Sequence, residues 1–137
     1  MSEERDIIAN RKAKMDGWRA DTGIYPNDFR RQDLAEDLHQ RAKDFDKPQL
    51  LEEAIETAIA GRIMLRRVMG KASFLTIQDS SGQMQCYLTK NDLAEEVYEA
   101  FNKYWEMGDI VGIRGILMRT NKGELTVHAK QIVLLNK

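Results

Sequence analysis

The spacing of apolar residues changes near residue 58, and this change constrains the fold more than any other feature of the sequence. Before it, apolar residues recur at helical spacing, as in Leu34, Leu38 and Ala42. After it, apolar and polar residues largely alternate, which is typical of β-strands with one buried face. We therefore predict a helical extension over residues 1–57 and a β-rich domain over residues 58–137.

Two helices are predicted within the extension, over residues 3–19 and about 32–43. The intervening segment "TGIYPNDF" contains glycine and proline and is typical of a turn. After Pro48, the segment "QLLEEAIETA" fits either a short helix or extended chain, and the sequence leaves both open. Trp18 is expected to pack against the rest of the protein rather than to bind a ligand.

Five strand-like segments make up the β-rich part. Turns such as "DSSG" and "NKG" separate them, and they lie over residues 60–70, 72–79, 83–89, 109–120 and 124–135. Residues 91–105 carry an apolar stripe at helical spacing, with Asn91 as the expected N-cap. This order predicts an all-β core, a five-stranded Greek-key barrel of the oligonucleotide/oligosaccharide-binding (OB) type, with a helix between strands 3 and 4 and an N-terminal helical arm before it. Another small Greek-key barrel is the alternative.

Composition excludes several classes of protein. The chain has 137 residues and a net charge of −1, so it fits one globular domain without an overall field that attracts nucleic acid. A single cysteine, Cys86, excludes an intrachain disulfide and a cysteine-based zinc site. His39 and His128 lack neighbours at metal-ligand spacing, so no metal is expected. Without a signal sequence or an apolar span, the chain is expected to be cytoplasmic and to have no membrane partner.

Side-chain parity along the strands places one aromatic residue on the outer surface of the barrel. Leu75 and Ile77 have core parity in the second strand, so Phe74 falls on the opposite face. The same argument places a polar and aromatic set outside, namely Gln83, Gln85, Tyr87, Glu124, Thr126 and His128. In an OB barrel, nucleic acid usually lies on the face around strands 2 and 3. The alternative is a β-bulge that shifts the register and turns Phe74 into the core.

Basic residues flank this outer face. Residues 61–78 contain no acidic side chain but include Arg62, Arg66, Arg67 and Lys71, and the turn between strands 4 and 5 adds Arg119 and Lys122. An exposed ring that stacks on a base, cations that contact phosphate, and amides that bond to base edges are the components of single-strand binding. The Glu124 carboxylate can also accept hydrogen bonds from a base. The alternative is that Arg66, Arg67 and Gln85 are ordinary solvated residues and that Glu124 is simply an acidic residue next to a turn.

Several segments resemble one known family. The resemblance rests on "IYPNDF", "AGRIMLRRVMGKASFLTIQDSSGQMQCYL", "WEMGDIVGIRGILMRTNKGELTVHA" and "IVLLNK". These segments are similar to the N-terminal anticodon-binding OB-fold domain of bacterial class II lysyl-tRNA synthetases, and the similarity covers nearly the whole chain. Gln83 and Cys86 depart from the family pattern, in which arginine and an aliphatic residue are common at these positions.

This resemblance implies that the domain recognises the uridine-rich anticodon loop of tRNA(Lys). It implies that Phe74 stacks on an anticodon base and that Arg67, with Arg66 beside it, contacts the anticodon. It also assigns Gln85 and Glu124 to the same site. Together with the basic residues around the face, the expected RNA-binding residues are Arg66, Arg67, Lys71, Phe74, Gln85, Arg119, Lys122 and Glu124.

Catalysis is expected to lie outside this chain. In the family that it resembles, a class II catalytic domain binds ATP and Mg and forms most of a homodimer interface. The present sequence contains no recognisable catalytic constellation and ends about where such a domain is expected to begin, so we expect neither a catalytic site nor a cofactor in it. The alternative is a free-standing OB-fold protein that binds single-stranded nucleic acid or has a regulatory role.

Overall fold

The strands close into a barrel with the order β1–β2–β3–β5–β4, in which β3 and β5 are parallel and the other neighbours are antiparallel. The computed structural model describes the backbone of residues 2–137 and the side chains of residues 5–27 and 29–137. The strands are β1 (Glu56–Met69), β2 (Ala72–Gln78), β3 (Gln83–Thr89), β4 (Ile110–Arg119) and β5 (Leu125–Asn136). The predicted OB-type barrel is therefore confirmed.

Helices precede the barrel and fill the connection between β3 and β4. They are α1 (Ser2–Thr22), α2 (Ala35–Arg41), α3 (Lys47–Glu53), α4 (Lys90–Leu93) and α5 (Glu95–Tyr104), with a 3₁₀ turn at Pro26–Asp28. The segment after Pro48 is thus helical up to Glu53 and then enters β1. Within residues 2–137, no helix combines the length and the apolar content that a membrane crossing requires.

Two tryptophans join the helical extension to the barrel. Trp18 of α1 is fully buried, and its ring centroid lies 5.4 Å from that of Trp105, which directly follows α5. The Tyr104 hydroxyl donates a hydrogen bond to Asp21 Oδ2 at 2.7 Å across the same contact. The expectation that Trp18 packs rather than binds a ligand is confirmed, because its side chain belongs to the core.

The helix expected over residues 91–105 is in fact two helices. Ala94 separates them with a φ of 70°, a left-handed value that a continuous helix does not allow. Asn91 was also the wrong N-cap, because α4 begins after Thr89. The extended backbone of Thr89 at the end of β3 lets its hydroxyl accept a hydrogen bond from the Asp92 N–H.

Inside the barrel, the inward residues of β2 and β3 are those that parity predicts. They are buried, and the set comprises Leu75, Ile77, Met84, Cys86 and Leu88. Strand β4 approaches β5 so closely at Gly115 that a Cβ there would lie 2.1 Å from the carbonyl oxygen of His128. A residue without a side chain is therefore required at this point, which explains one of the glycines in the fourth strand.

Candidate nucleic-acid interface

Four side chains form a continuous row across the outer face of the barrel. Arg67 of β1 is paired with Phe74 of β2, Phe74 with Tyr87 of β3, and Tyr87 with His128 of β5. Directly paired residues of neighbouring strands project to the same side of a sheet. The row, which we call the aromatic row, therefore presents a guanidinium group, two aromatic rings and an imidazole on one surface.

A β-bulge in β1 puts Arg67 into the aromatic row. The register shifts between Ile63 and Leu65, so Met64 has no direct partner on β2. Ile63 is buried in the barrel. Arg67 lies an even number of residues after Ile63, so without the shift its side chain would also point into the barrel. The bulge lies just beyond Arg62, the last residue of β1 that pairs with β4. Strand β2 pairs with β1 and with β3 without a register shift at Phe74, so no bulge turns Phe74 into the core.

The rings of the aromatic row touch one another. Phe74 and Tyr87 have ring centroids 4.9 Å apart at an interplanar angle of 37°, and Tyr87 meets His128 edge-on at 5.3 Å. Both Phe74 and Tyr87 are half-buried, so each residue remains partly open to solvent. A pre-packed pair of this kind provides a stacking surface for nucleobases that needs little reordering on binding.

His128, at the far end of the aromatic row, belongs to a charged cluster. Its Nε2 lies 2.6 Å from Asp92 Oδ2, and Lys130 Nζ lies 3.0 Å from Asp92 Oδ1. The hydrogen bond from the Thr89 hydroxyl to Asp92, together with those from Lys130 and His128, lowers the pKa of the Asp92 carboxyl. The cluster holds the imidazole in one orientation beside Tyr87.

Next to the aromatic row lies an amide with a fixed contact. Gln85 of β3 pairs with Thr126 of β5, and the Thr126 hydroxyl is 2.8 Å from Gln85 Oε1. Parity alone predicted an exposed Thr126, and this was wrong, since its side chain is fully buried. Glu124, just before β5, is exposed at the same edge of the face. Of the two polar residues expected in the site, Gln85 lies two residues before Tyr87, the partner of Phe74, and Glu124 lies two residues before Thr126.

Two of the expected RNA-binding arginines are engaged in contacts within the protein. The Arg66 guanidinium donates to the carbonyl oxygens of Asn102 and Trp105 at 3.0 and 3.1 Å and lies 5.0 Å from the Phe101 ring centroid. Arg119 donates to three carbonyl oxygens, those of Phe45, Ala42 and Gly123, at 2.7, 2.8 and 3.0 Å. The structure thus assigns Arg66 to the end of α5, and Arg119 to the segment between α2 and α3 and to the β4–β5 turn, rather than to the aromatic row.

The remaining expected cations lie at the edges of the face. Lys71 is exposed in the tight turn between β1 and β2, and Lys122 is exposed in the turn between β4 and β5. In an OB barrel, these two loops flank the strand 2–3 surface on which nucleic acid lies. Arg67, Lys71 and Lys122 are therefore the expected basic residues that remain solvent-exposed around this face.

A cleft of about 400 Å³ adjoins the aromatic row on the side of the β4–β5 turn. Phe74 and Tyr87 line it together with Lys47 and Leu51 of α3, Met69 of β1 and Asn121. Lys47 Nζ donates a hydrogen bond to Asn121 Oδ1, which links α3 to the turn. Leu51, Met69 and Asn121 were not expected in the site, because strand parity does not predict which helix and turn residues pack beside the end of a strand.

Tyr87 and His128 were also left out of the expected site, although parity had placed both on the outer face. Pairing each outer residue with its cross-strand neighbours could have found them, since Phe74, Tyr87 and His128 share one line of the sheet. Cys86 is fully buried, and burial raises the pKa of its thiol, so it is not a nucleophile. No metal-binding group of histidine, cysteine, aspartate and glutamate occurs in the part of the chain that the structure describes.

Comparison with known proteins agrees with this geometry. Residues 57–135 match the tRNA anticodon family, described as an OB-fold nucleic acid binding domain. The match begins at the second residue of β1 and ends one residue before the end of β5.

Among curated proteins, the chain is similar to bacterial lysine–tRNA ligases. It is 50% identical over 136 residues to that of Burkholderia cenocepacia, which covers 99% of this chain and 27% of the relative. It is 47% identical over 135 residues to that of Psychromonas ingrahamii, covering 98% of this chain and 26% of the relative. The chain spans about a quarter of the length of these relatives. Since the family match covers residues 57–135, more than half of the chain, the chain belongs to the tRNA anticodon family of OB-fold nucleic acid binding domains.

Proposed function

We propose that this domain binds the anticodon loop of tRNA(Lys) and acts as the tRNA-recognition part of a lysine–tRNA ligase. The observation that carries this proposal is the aromatic row, in which Arg67, Phe74, Tyr87 and His128 line up across four strands beside Gln85. The similarity to lysine–tRNA ligases over 99% of the chain supports the identity of the tRNA.

Each group of the face has a role that its chemistry suits. Phe74 stacks on an unpaired base of the loop, because every base offers a π face to an aromatic ring. Gln85 and Glu124 hydrogen-bond to base edges. Arg67, Lys71 and Lys122 neutralise phosphates around the loop, which supplies affinity that depends on salt. Arg66 and Arg119 act indirectly, by holding α5 and the segment between α2 and α3 against the barrel.

The chemistry of aminoacylation is assigned to a separate catalytic domain of the longer protein. We propose that ATP and Mg bind there, that the homodimer forms largely through it, and that this domain binds RNA without a cofactor. The similarity to lysine–tRNA ligases, of which the chain spans about a quarter, supports this division. A cytoplasmic location follows from the same proposal, because tRNA ligases serve translation.

The test is a titration of labelled anticodon stem-loops with the Phe74→Ala variant. Loss of one base stack is worth about 1–3 kcal/mol, so the affinity for the lysine stem-loop should fall by roughly tenfold or more. Tyr25→Ala is the matched control, since Tyr25 is a half-exposed aromatic of the extension and does not belong to the aromatic row. This control should leave the affinity unchanged.

Two outcomes would contradict the proposal. If Phe74→Ala and Tyr25→Ala bind the stem-loop as the wild type does, the aromatic row is not the binding surface. If the wild type binds an unstructured oligonucleotide of mixed sequence as tightly as the lysine stem-loop, the domain is a general single-strand binder instead. Thermal unfolding of each variant separates a binding effect from a loss of structure.

A further inference from the structure

The buried hydroxyl of Thr126 lies directly beneath the amide of Gln85. Thr126 is fully buried, and its Oγ1 is 2.8 Å from Gln85 Oε1. A buried hydroxyl is rarely left without a partner, because its desolvation then goes uncompensated. A threonine hydroxyl also has a single proton to donate. The direction of this one hydrogen bond therefore decides which end of the Gln85 amide faces the RNA.

Two acceptors lie within reach of that proton. The carbonyl oxygen of Glu124 is 3.2 Å from Thr126 Oγ1, against 2.8 Å for Gln85 Oε1, and the shorter separation is the usual one for an O–H···O hydrogen bond. The Glu124 carbonyl also already accepts a hydrogen bond from the Thr120 N–H at 3.0 Å. Both observations favour donation from Thr126 to Gln85.

We propose that Thr126 is a positioning residue that fixes the orientation of the Gln85 amide and so makes the site selective for uracil over cytosine. With Oε1 held by Thr126, the Nε2 group is the part of the amide that is free to donate to a base. Uracil has a carbonyl acceptor at position 4, whereas cytosine has an amino donor there. An amide held in this orientation donates a hydrogen bond to the carbonyl of uracil. Opposite cytosine, its N–H faces the amino group, and two donors cannot form a hydrogen bond.

Without the hydroxyl, the amide loses its orientation. A glutamine amide turned by 180° exchanges its donor and its acceptor and then suits the amino group of cytosine equally well. Thr126 therefore excludes the alternative base rather than adding a contact to the correct one. This inference rests on the proposed function, because it specifies how the same face distinguishes one pyrimidine from the other.

The experiment compares lysine anticodon stem-loops that carry uridine or cytidine at each anticodon position in turn. In the wild type, the U-to-C change at one anticodon position should weaken binding by about tenfold. This is the usual cost of leaving one buried polar group without a hydrogen-bond partner. The nearly isosteric Thr126→Val lacks the hydroxyl, and its U-to-C ratio at that position should fall to about twofold or less. Thr126→Ser keeps the hydroxyl and should keep the wild-type ratio.

Thr57→Val is the matched control. Thr57 is likewise a buried strand threonine, and its hydroxyl donates to Asp33 Oδ2 at 2.7 Å at the other end of β1 from Arg67. Its loss should lower the stability as much as Thr126→Val does, yet leave the U-to-C ratio unchanged. If Thr126 had only a structural role, Thr126→Val would lower the stability but leave the U-to-C ratio unchanged. If Thr126→Val does not fold, Thr126→Ala carries the same expectation.

The possible outcomes separate the two proposals. If the wild type binds the stem-loops and Thr126→Val keeps the wild-type U-to-C ratio, the proposed role of Thr126 is wrong, but the proposed function stands. A wild type that prefers cytidine overturns it as well, because Thr126 would then donate to Glu124 and accept from the amide. If the wild type binds none of the stem-loops, the proposed function itself fails, and this inference with it.

Discussion

Arg67 and Phe74 lie directly opposite each other in the ladder between β1 and β2, and the bulge at Met64 is the reason that they share a face. The neighbouring Arg66 is paired with Leu75, a core residue, and points to the other side of the sheet. Two adjacent arginines of one strand therefore have different surroundings. Arg67 is exposed as a member of the aromatic row, and Arg66 is hydrogen-bonded to the backbone at the end of α5.

Removing the Arg67 guanidinium should weaken RNA binding with little effect on stability. Arg67→Ala should lower the affinity for the lysine stem-loop by about tenfold, since a contact of this kind is worth about 1–3 kcal/mol. If Arg67 contacts phosphate, the slope of log affinity against log salt should also fall by about 1. Titrations at several salt concentrations measure both quantities.

Arg62→Ala is the control for Arg67. Arg62 is an exposed arginine of the same strand, located before the bulge, and donates to the Gly108 carbonyl oxygen at 2.9 Å. Equal losses of affinity in the two variants would show that net charge, rather than the position of Arg67, drives binding.

The opposite result is expected for the neighbouring arginine. Arg66→Ala removes donors to the carbonyl oxygens of Asn102 and Trp105 and a cation–π contact with Phe101. We expect the free energy of unfolding to fall by about 1–3 kcal/mol, as for other hydrogen bonds from charged groups. Chemical denaturation measures this change. A variant with unaltered stability but defective stem-loop binding would instead place Arg66 in the RNA interface.

Asp79 in the β2–β3 turn should make stability depend on pH. Its Oδ2 accepts the Ala35 N–H at the start of α2 at 2.7 Å, and its Oδ1 accepts the N–H groups of Ser81 and Gly82 at 2.8 and 3.1 Å. Burial raises the pKa of this carboxyl, but the hydrogen bonds from Ser81, Ala35 and Gly82 outweigh burial and lower it overall. The ionised carboxylate therefore holds both the turn and α2 in place.

Because the folded-state pKa of Asp79 is depressed, its stabilising effect is present above the unfolded value of about 4 and disappears as the pH falls through the lower, folded value. Asp79→Asn should be less stable than the wild type by about 1–2 kcal/mol at pH 7, and the two should converge below about pH 4. Denaturant titrations across this range check the prediction. A constant difference at all pH values would mean that the carboxylate charge does not matter.

Much of the barrel could be predicted from the sequence. Alternation of apolar residues in β2 and β3 correctly separated Leu75 and Cys86 from Phe74 and Gln85, and the third strand was predicted with its exact bounds. Alternation works here because each of these strands has one face toward the core and pairs without a register shift. Alternation did not predict the burial of Thr126, which lies between Gln85 and Met118 on the neighbouring strands, because no pattern within one strand records such contacts.

Boundaries between elements were less predictable. The first strand begins at Glu56, four residues before the expected start, and the helix after β3 is interrupted at Ala94. The first difference depends on a partner far away in the chain. The start of β1 pairs with β4 from Glu56 onward, opposite Ile116. The sequence near residue 56 contains no trace of that pairing.

By itself, the sequence determined the strand order of an OB-type barrel and the outward position of Phe74, because alternation is a local consequence of strand geometry. The resemblance already implied that Arg67 contacts the anticodon, but only the tertiary structure shows why Arg67, and not Arg66, stands beside that ring. The first half of β1 pairs with β4 and the second half with β2. The bulge at Met64 lies where the pairing changes, and after it the residues of β1 that face outward are those that would otherwise face inward. Arg66 and Arg67 are chemically identical neighbours, and the contacts of distant strands and of α5 distinguish them.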